Sequence, residues 1–149
     1  MNQIDDVTIK NDEGVIRPFL QKSRISLHLN EMDNVSAFHS NSLILRSYDL
    51  VAVVPTNEKM FHIACTQLDV DIISFDISAK IPFFLNKSMI NAALSRGIIF
   101  EIIYSPALQN MSYRKSLFSN ALNIVRITRG RNIIISRYEL GRHLISRPQ

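Results

Sequence analysis

Tryptophan is absent from this 149-residue chain, cysteine occurs once (Cys65), and glycine and proline are scarce, at four and five residues. A single cysteine excludes an internal disulfide and fits a reducing intracellular compartment. So little glycine and proline excludes collagen-like and low-complexity architectures. A composition of 46% hydrophobic and 20% charged residues excludes wholesale disorder. Purely apolar runs are short, Ile102–Tyr104 and Ile133–Ile135 among them, against the roughly 20 residues that a membrane span needs. The N-terminus, Met1 to Asp6, has no apolar signal-peptide region. Four histidines and one cysteine leave few ligands for a transition metal. What is present suffices for one domain, since a chain of this length buries roughly two-thirds of its unfolded surface.

Acid is also scarce, but only at one end. Residues 1–110 carry nine Lys/Arg against twelve Asp/Glu, whereas residues 111–149 carry eight (Arg114, Lys115, Arg126, Arg129, Arg131, Arg137, Arg142 and Arg147) against Glu139 alone. A block this basic suits a polyanionic partner, because neutralising phosphates releases condensed counterions. A solvated helix face followed by a loose tail would give the same count.

The first 23 residues are weakly patterned, with a turn signal at Asp12-Glu13-Gly14 and Arg17-Pro18 opposing regular structure. From Arg24 the chain becomes regular. Arg24 to Asn30 alternates as a strand does, and apolar residues from Asn34 to Ser47 have helical spacing. Asp49 to Pro55 is a nearly continuous β-former run, the pattern of a strand covered on both faces. Thr56 is placed to cap a helix carrying Phe61, Ala64, Cys65 and Leu68 on one face. Asp71 to Asp76 is a strand. Ser88 is placed to cap a helix from Met89 to Arg96 that Gly97 stops. Ile99 to Tyr104 is a strand ended by Ser105-Pro106. Ser112 opens the longest helix, with Leu117, Ala121, Ile124 and Thr128 inward, flanked by Phe118, Leu122 and Val125, and Gly130 closes it. Asn132 to Ser136 is the last strand. Five strands joined by four helices must run parallel. An open doubly wound sheet and a segment of a (β/α)₈ barrel both fit, and five strands cannot close a barrel.

The residues themselves carry a resemblance. Tyr48-Asp-Leu-Val-Ala-Val-Val-Pro-Thr-Asn-Glu-Lys-Met-Phe-His-Ile-Ala-Cys-Thr, followed by Leu68-Asp-Val-Asp-Ile-Ile, resembles the TIM-barrel protein subunit of nuclear ribonuclease P and of the related ribonuclease MRP. The likeness continues through Lys80-Ile-Pro-Phe-Phe-Leu, Ile90-Asn-Ala-Ala-Leu-Ser-Arg-Gly, Phe100-Glu-Ile-Ile-Tyr-Ser-Pro-Ala, Arg114-Lys, Ser119-Asn-Ala-Leu-Asn and Gly130-Arg-Asn-Ile-Ile-Ile-Ser. Several linked motifs in order make it specific. It implies an α/β fold, a partial TIM-type barrel over residues 24–136, with a weakly ordered segment (1–23) before it and a divergent basic tail (137–149) after it. The family is related to the polymerase-and-histidinol-phosphatase barrels, and its members are non-catalytic, RNA-contacting subunits without a cofactor. The implied partners are the ribonuclease P/MRP RNA, precursor tRNA indirectly, and other protein subunits, especially a small α/β one. The implied work is removal of the 5′ leader of precursor tRNA, in the nucleus and nucleolus, with no membrane. Against that pattern, two strand–helix units are expected ahead of Arg24, and Arg137 onward departs from it. A truncated or alternatively spliced product, or a partial gene model, is the corresponding expectation.

Seven residues are candidates for RNA or partner contact: Lys80, Lys87, Arg114, Lys115, Arg126, Arg129 and Arg131. At 100° per residue Lys115, Arg126 and Arg129 fall within roughly 60° of one another, a stripe that can track a phosphate backbone without reading sequence. Leu122 lies in the same arc, and Arg114 is displaced to one flank. Lys80 and Lys87 flank the Ile81–Leu85 loop, whose Phe83 and Phe84 are expected to pack on the barrel rim. For a metal-dependent phosphoesterase, Asp76, Glu101 and Tyr104 lie near strand ends. However, His28, His39, His62 and His143 are isolated, with no metal-ligand spacing. Asp76 and Glu101 are expected to close strand ends by bonding nearby backbone, His62 to pack, and Cys65 to serve as a small core residue. A non-functional isoform is the third alternative.

Overall fold

The structure is a computed structural model that describes residues 8–10, 16–18, 21–30, 35, 38, 43–75 and 80–137. Two short strands, β1 (Thr8–Lys10) and β2 (Ile16–Pro18), pair antiparallel, and the expected turn at Asp12-Glu13-Gly14 lies outside the described residues. The main sheet holds β3 (Arg24–Leu29), β4 (Leu50–Pro55), β5 (Ile72–Ser74), β6 (Ile99–Ile103) and β7 (Ile133–Ser136), every neighbouring pair parallel. Its spatial order is the sequence order, β3-β4-β5-β6-β7. A doubly wound sheet reverses strand order at a switch point; this sheet does not, and it is open. Its α/β progression is that of a partial barrel.

The helices bounded within the described residues are α1 (Leu43–Arg46), α2 (Glu58–Thr66), α3 (Lys87–Ser95), α4 (Ser105–Gln109) and α5 (Met111–Thr128). Among the described residues no helix is long and apolar enough to cross a membrane. The N-caps of α2, α3 and α5 are asparagines, not the expected Thr56, Ser88 and Ser112. Asn57 accepts from the Met60 amide, Asn86 from Ser88 and Asn110 from Ser112. Asn57 stands one residue after Thr56, whereas Asn86 and Asn110 stand two residues before Ser88 and Ser112. A short amide side chain in extended backbone reaches the orphan N–H groups of the first turn. Pro106 does not stop structure after β6. It sits in the first turn of α4, where its missing N–H costs nothing. Gly97 (φ +80°) and Gly130 (φ +73°) end α3 and α5 as expected. Arg96 tethers neighbouring helices, its guanidinium donating to the carbonyls of Cys65 (3.0 Å) and Leu68 beyond the end of α2. A cation there also faces the negative end of the helix dipole.

The pleat sorts the sheet into two faces. Leu29, Val53, Ile73, Phe75, Phe100 and Ile102 share one apolar core with Phe61, Ala64 and Cys65 of α2, Ile90 and Ala93 of α3 and Ile124 of α5. Phe61, Phe75 and Phe100 form a chain of ring contacts through it, with centroids 5.9 and 6.2 Å apart. Val35 and Phe38, from the region of expected helix after β3, reach the same core. Cys65 is fully buried there, and burial pushes its thiol pKa up to about 12, so it is an inert core residue. His62 corrects its expectation: it is exposed, because α2 turns it outward between buried Phe61 and Ile63.

The opposite face is polar at its centre. Arg24, Ser26, Ser74, Glu101 and Ser136 stand on it by register. Three of the strands are led by an Asx residue that ties back to the preceding neighbour. Asp49 Oδ2 accepts from Ser23 N (2.7 Å) and Ser23 Oγ (2.8 Å), and Asp71 Oδ2 accepts from Val51 N (2.8 Å). Asn132, at φ +50°, donates from Nδ2 to the Ile98 carbonyl (3.3 Å). The Ser23 hydrogen bonds hold the Asp49 carboxyl below the ordinary range.

Candidate nucleic-acid interface

Helix α5 contains no acidic residue, and its outer side carries the cations. Leu117, Ala121, Ile124 and Thr128 turn inward as the spacing predicts. Lys115 and Arg126 are exposed and, eleven residues apart, share one line about 16 Å long down the helix. Leu122 lies between them, 55% exposed, and Phe118 is 71% exposed on the flank. Arg114 and Lys115 stand near the positive, N-terminal end of the helix, where the dipole gives cations no stabilisation.

Arg129 departs from the predicted stripe. It is the C-cap of α5 in left-handed conformation (φ +58°, ψ +36°), so its side chain leaves the helical wheel that ends at Thr128. Arg114 donates from Nε to the Ala107 carbonyl (2.9 Å), fixing α4 to α5, and Arg131 donates from Nε to the Thr128 carbonyl (3.4 Å). All of these residues are exposed.

The Lys80–Leu85 loop meets α5. The buried Asn120 side chain accepts from the Ile81 amide (3.4 Å). Between loop and helix lies a groove of about 410 Å³ lined by Lys80, Phe84, Ser119, Leu122, Asn123 and Arg126 among others. The fold thus brings Lys80 and Arg126 to one groove. Lys87, by contrast, opens α3 outside it. Phe83 packs as expected, its ring 5.4 Å from that of Phe61. Phe84 does not: it is 76% exposed. The two adjacent rings part, Phe83 turning inward against Phe61 and Phe84 outward to solvent. On the far side of the same loop a second cavity, about 260 Å³, opens at the C-terminal ends of β3 to β5 and is lined by His28, Thr56, Phe75, Lys80 and Phe83 among others.

Sequence reasoning missed the charge that, among the described residues, is held by the most side chains. Arg24 reaches from β3 past β4 and β5 and donates to both oxygens of Glu101 on β6, at 2.7 and 2.6 Å. Ser74 Oγ donates to Oε2 of the same carboxylate, and Ser136 Oγ to Oε1 (2.7 Å). Arg24 also donates from Nε to Ser26 (3.0 Å) and from Nη2 to Ser74 (3.2 Å). Glu101, 0% exposed, is therefore bonded to side chains from three strands and not to nearby backbone as expected. Burial pushes its pKa up, but the hydrogen bonds from Arg24, Ser74 and Ser136 outweigh that and hold the carboxyl below the ordinary glutamate range. A carboxylate so engaged is a structural anion, not a poised acid or base. A glutamate inside the apolar run of β6 was the available signal, since a buried charge demands a partner. Tyr104 is half-buried at the N-cap of α4. Asp76, His39 and His143 lie outside the described residues, as do Glu139, Arg142 and Arg147. Among the described residues no three His, Cys, Asp or Glu side chains come together as metal ligands would.

Residues 6–137 match the RNase P subunit p30 family. The chain belongs to that family. It is 37% identical over 124 residues to the mouse ribonuclease P protein subunit p30, covering 83% of this chain and 46% of that protein. It is 42% identical over 119 residues to the Arabidopsis thaliana protein GAMETOPHYTE DEFECTIVE 1, covering 80% of this chain and 20% of the plant protein. It is 34% identical over 113 residues to the ribonuclease P/MRP protein subunit RPP1 of Saccharomyces cerevisiae, covering 76% and 38%. The chain spans less than half the length of each of these relatives. Of the seven cations singled out by sequence, the groove beside α5 brings two together, Lys80 and Arg126.

Proposed function

We propose that this chain is a non-catalytic part of a ribonuclease P/MRP protein subunit. It supports the folded RNA and other subunits of the particle during 5′-leader removal from precursor tRNA, in the nucleus and nucleolus. The names of the mouse and yeast relatives support the particle. The observation that carries the chain's own role is the acid-free helix α5, with Lys115 and Arg126 on one exposed line. Such a line tracks phosphates and reads shape, which is how folded RNA is recognised. The engagement of Glu101 by Arg24 favours architecture over chemistry at the sheet.

The test is a salt titration of the full chain against transcribed ribonuclease P RNA. Replacing Lys115 and Arg126 with glutamine should lower the slope of log K against log salt by about one per removed contact. An unchanged slope, or metal-dependent phosphoesterase turnover by the chain, overturns the proposal.

A further inference from the structure

The Lys80–Leu85 loop has a cavity on each side, and Lys80 lines both. On the α5 side are an outward ring (Phe84), an alkyl floor (Leu122), hydroxyl and amide groups (Ser119, Asn123) and a guanidinium (Arg126). On the strand side are the inner ring Phe83, with His28 and Thr56 at the sheet's C-terminal mouth, the end of such sheets where ligands gather. No described lining residue of either cavity is an acid. Duplex RNA needs only cations spaced along a surface. A single strand needs more: a flat apolar face for the base, a cation for the phosphate and small polar groups for the base edge. This loop supplies all three on a short path from Arg126 over Phe84 and Lys80.

We infer that the Lys80–Leu85 loop is a single-strand RNA site, in which an unpaired nucleotide stacks on Phe84 in the α5 groove and its neighbouring phosphates meet Lys80 and Arg126. The inference rests on the RNA-binding reading above and narrows it to unpaired RNA at one loop. The occupant is RNA and not a protein segment, because the groove sets an exposed ring between Lys80 and Arg126 and is lined by no acid. Phe84 owes its position to Phe83: the inner ring is anchored on Phe61, so the outer ring is presented on a fixed stem.

The test uses the full chain with a short labelled oligouridylate and a labelled RNA duplex. Phe84→Ala should weaken the single strand about fivefold or more, the usual loss of one base–aromatic stack. It should leave the duplex unchanged, and Phe84→Tyr should restore the single strand. Because Phe84 is exposed, the thermal midpoint of Phe84→Ala should match the parent, which separates stacking from folding. Equal weakening of both RNAs, or unchanged single-strand binding in Phe84→Ala and Lys80→Gln, overturns the inference. The latter result leaves the groove to a protein segment. Loss of both RNAs from Lys115→Gln/Arg126→Gln, with single-strand preference unchanged in Phe84→Ala, sinks this inference alone. Failure of the parent chain to bind either RNA sinks the reading beneath it.

Discussion

The two faces of the one parallel sheet are held by opposite means. Toward the helices, Val53, Ile73, Phe100 and Ile102 contribute by being removed from water, and many partners would serve them equally. On the other face, Glu101 depends on named donors from β3, β5 and β7, and each must be in place. Burial is forgiving of detail and a buried ion pair is not. The apolar face supplies most of the stability, whereas the polar face fixes which strand stands where.

Breaking the polar face should cost most. Arg24→Met leaves Glu101 buried without its cation and should destabilise the chain by about 3–5 kcal/mol in urea denaturation. Arg24→Met/Glu101→Leu should recover most of that loss. Ile102→Val on the apolar face should cost only about 0.5–1.5 kcal/mol. A double variant as unstable as Arg24→Met would erase the contrast.

Acid should separate the faces next. The folded-state pKa of Glu101 is depressed, so its contribution is complete above the ordinary glutamate value of 4.5 and is lost as pH falls through the lower folded value. The parent should therefore lose stability on acidification below that value, and Arg24→Met/Glu101→Leu should lose distinctly less. Parallel pH profiles for the two proteins would rule out this assignment. The smallest effect is local. Asn110→Ala should cost about 1 kcal/mol by removing the bond to the Ser112 amide, read as a shifted thermal midpoint with the sheet face untouched.

Periodicity made the five strands, the order of elements and the inward side of α5 legible, since these are short-range patterns. The candidate cations were legible as composition. Their grouping was not: Lys80 and Arg126 share a groove because Asn120 holds the loop to the helix, a contact 39 residues apart in sequence. The partner of Glu101 was hidden for the same reason, being 77 residues away on a strand whose alternation gave Arg24 no special mark. Phe83 and Phe84 looked alike because a loop has no period that says which ring turns in. The asparagine caps were missed by one or two positions, the usual uncertainty of a helix start read from residue types.

The Asx residues that lead β4, β5 and β7 have a bearing on how the chain reaches this arrangement. A strand that slid by one position would lose its tether at the start and, in β6, would swing the Glu101 carboxylate into the oily layer beneath the helices. Slippage is thus penalised at the tethers of β4, β5 and β7 and, separately, at the Glu101 carboxylate of β6. Proofreading of alignment is written into side chains outside α5 and the phenylalanine loop, leaving the outer surfaces of both free to vary without disturbing the sheet.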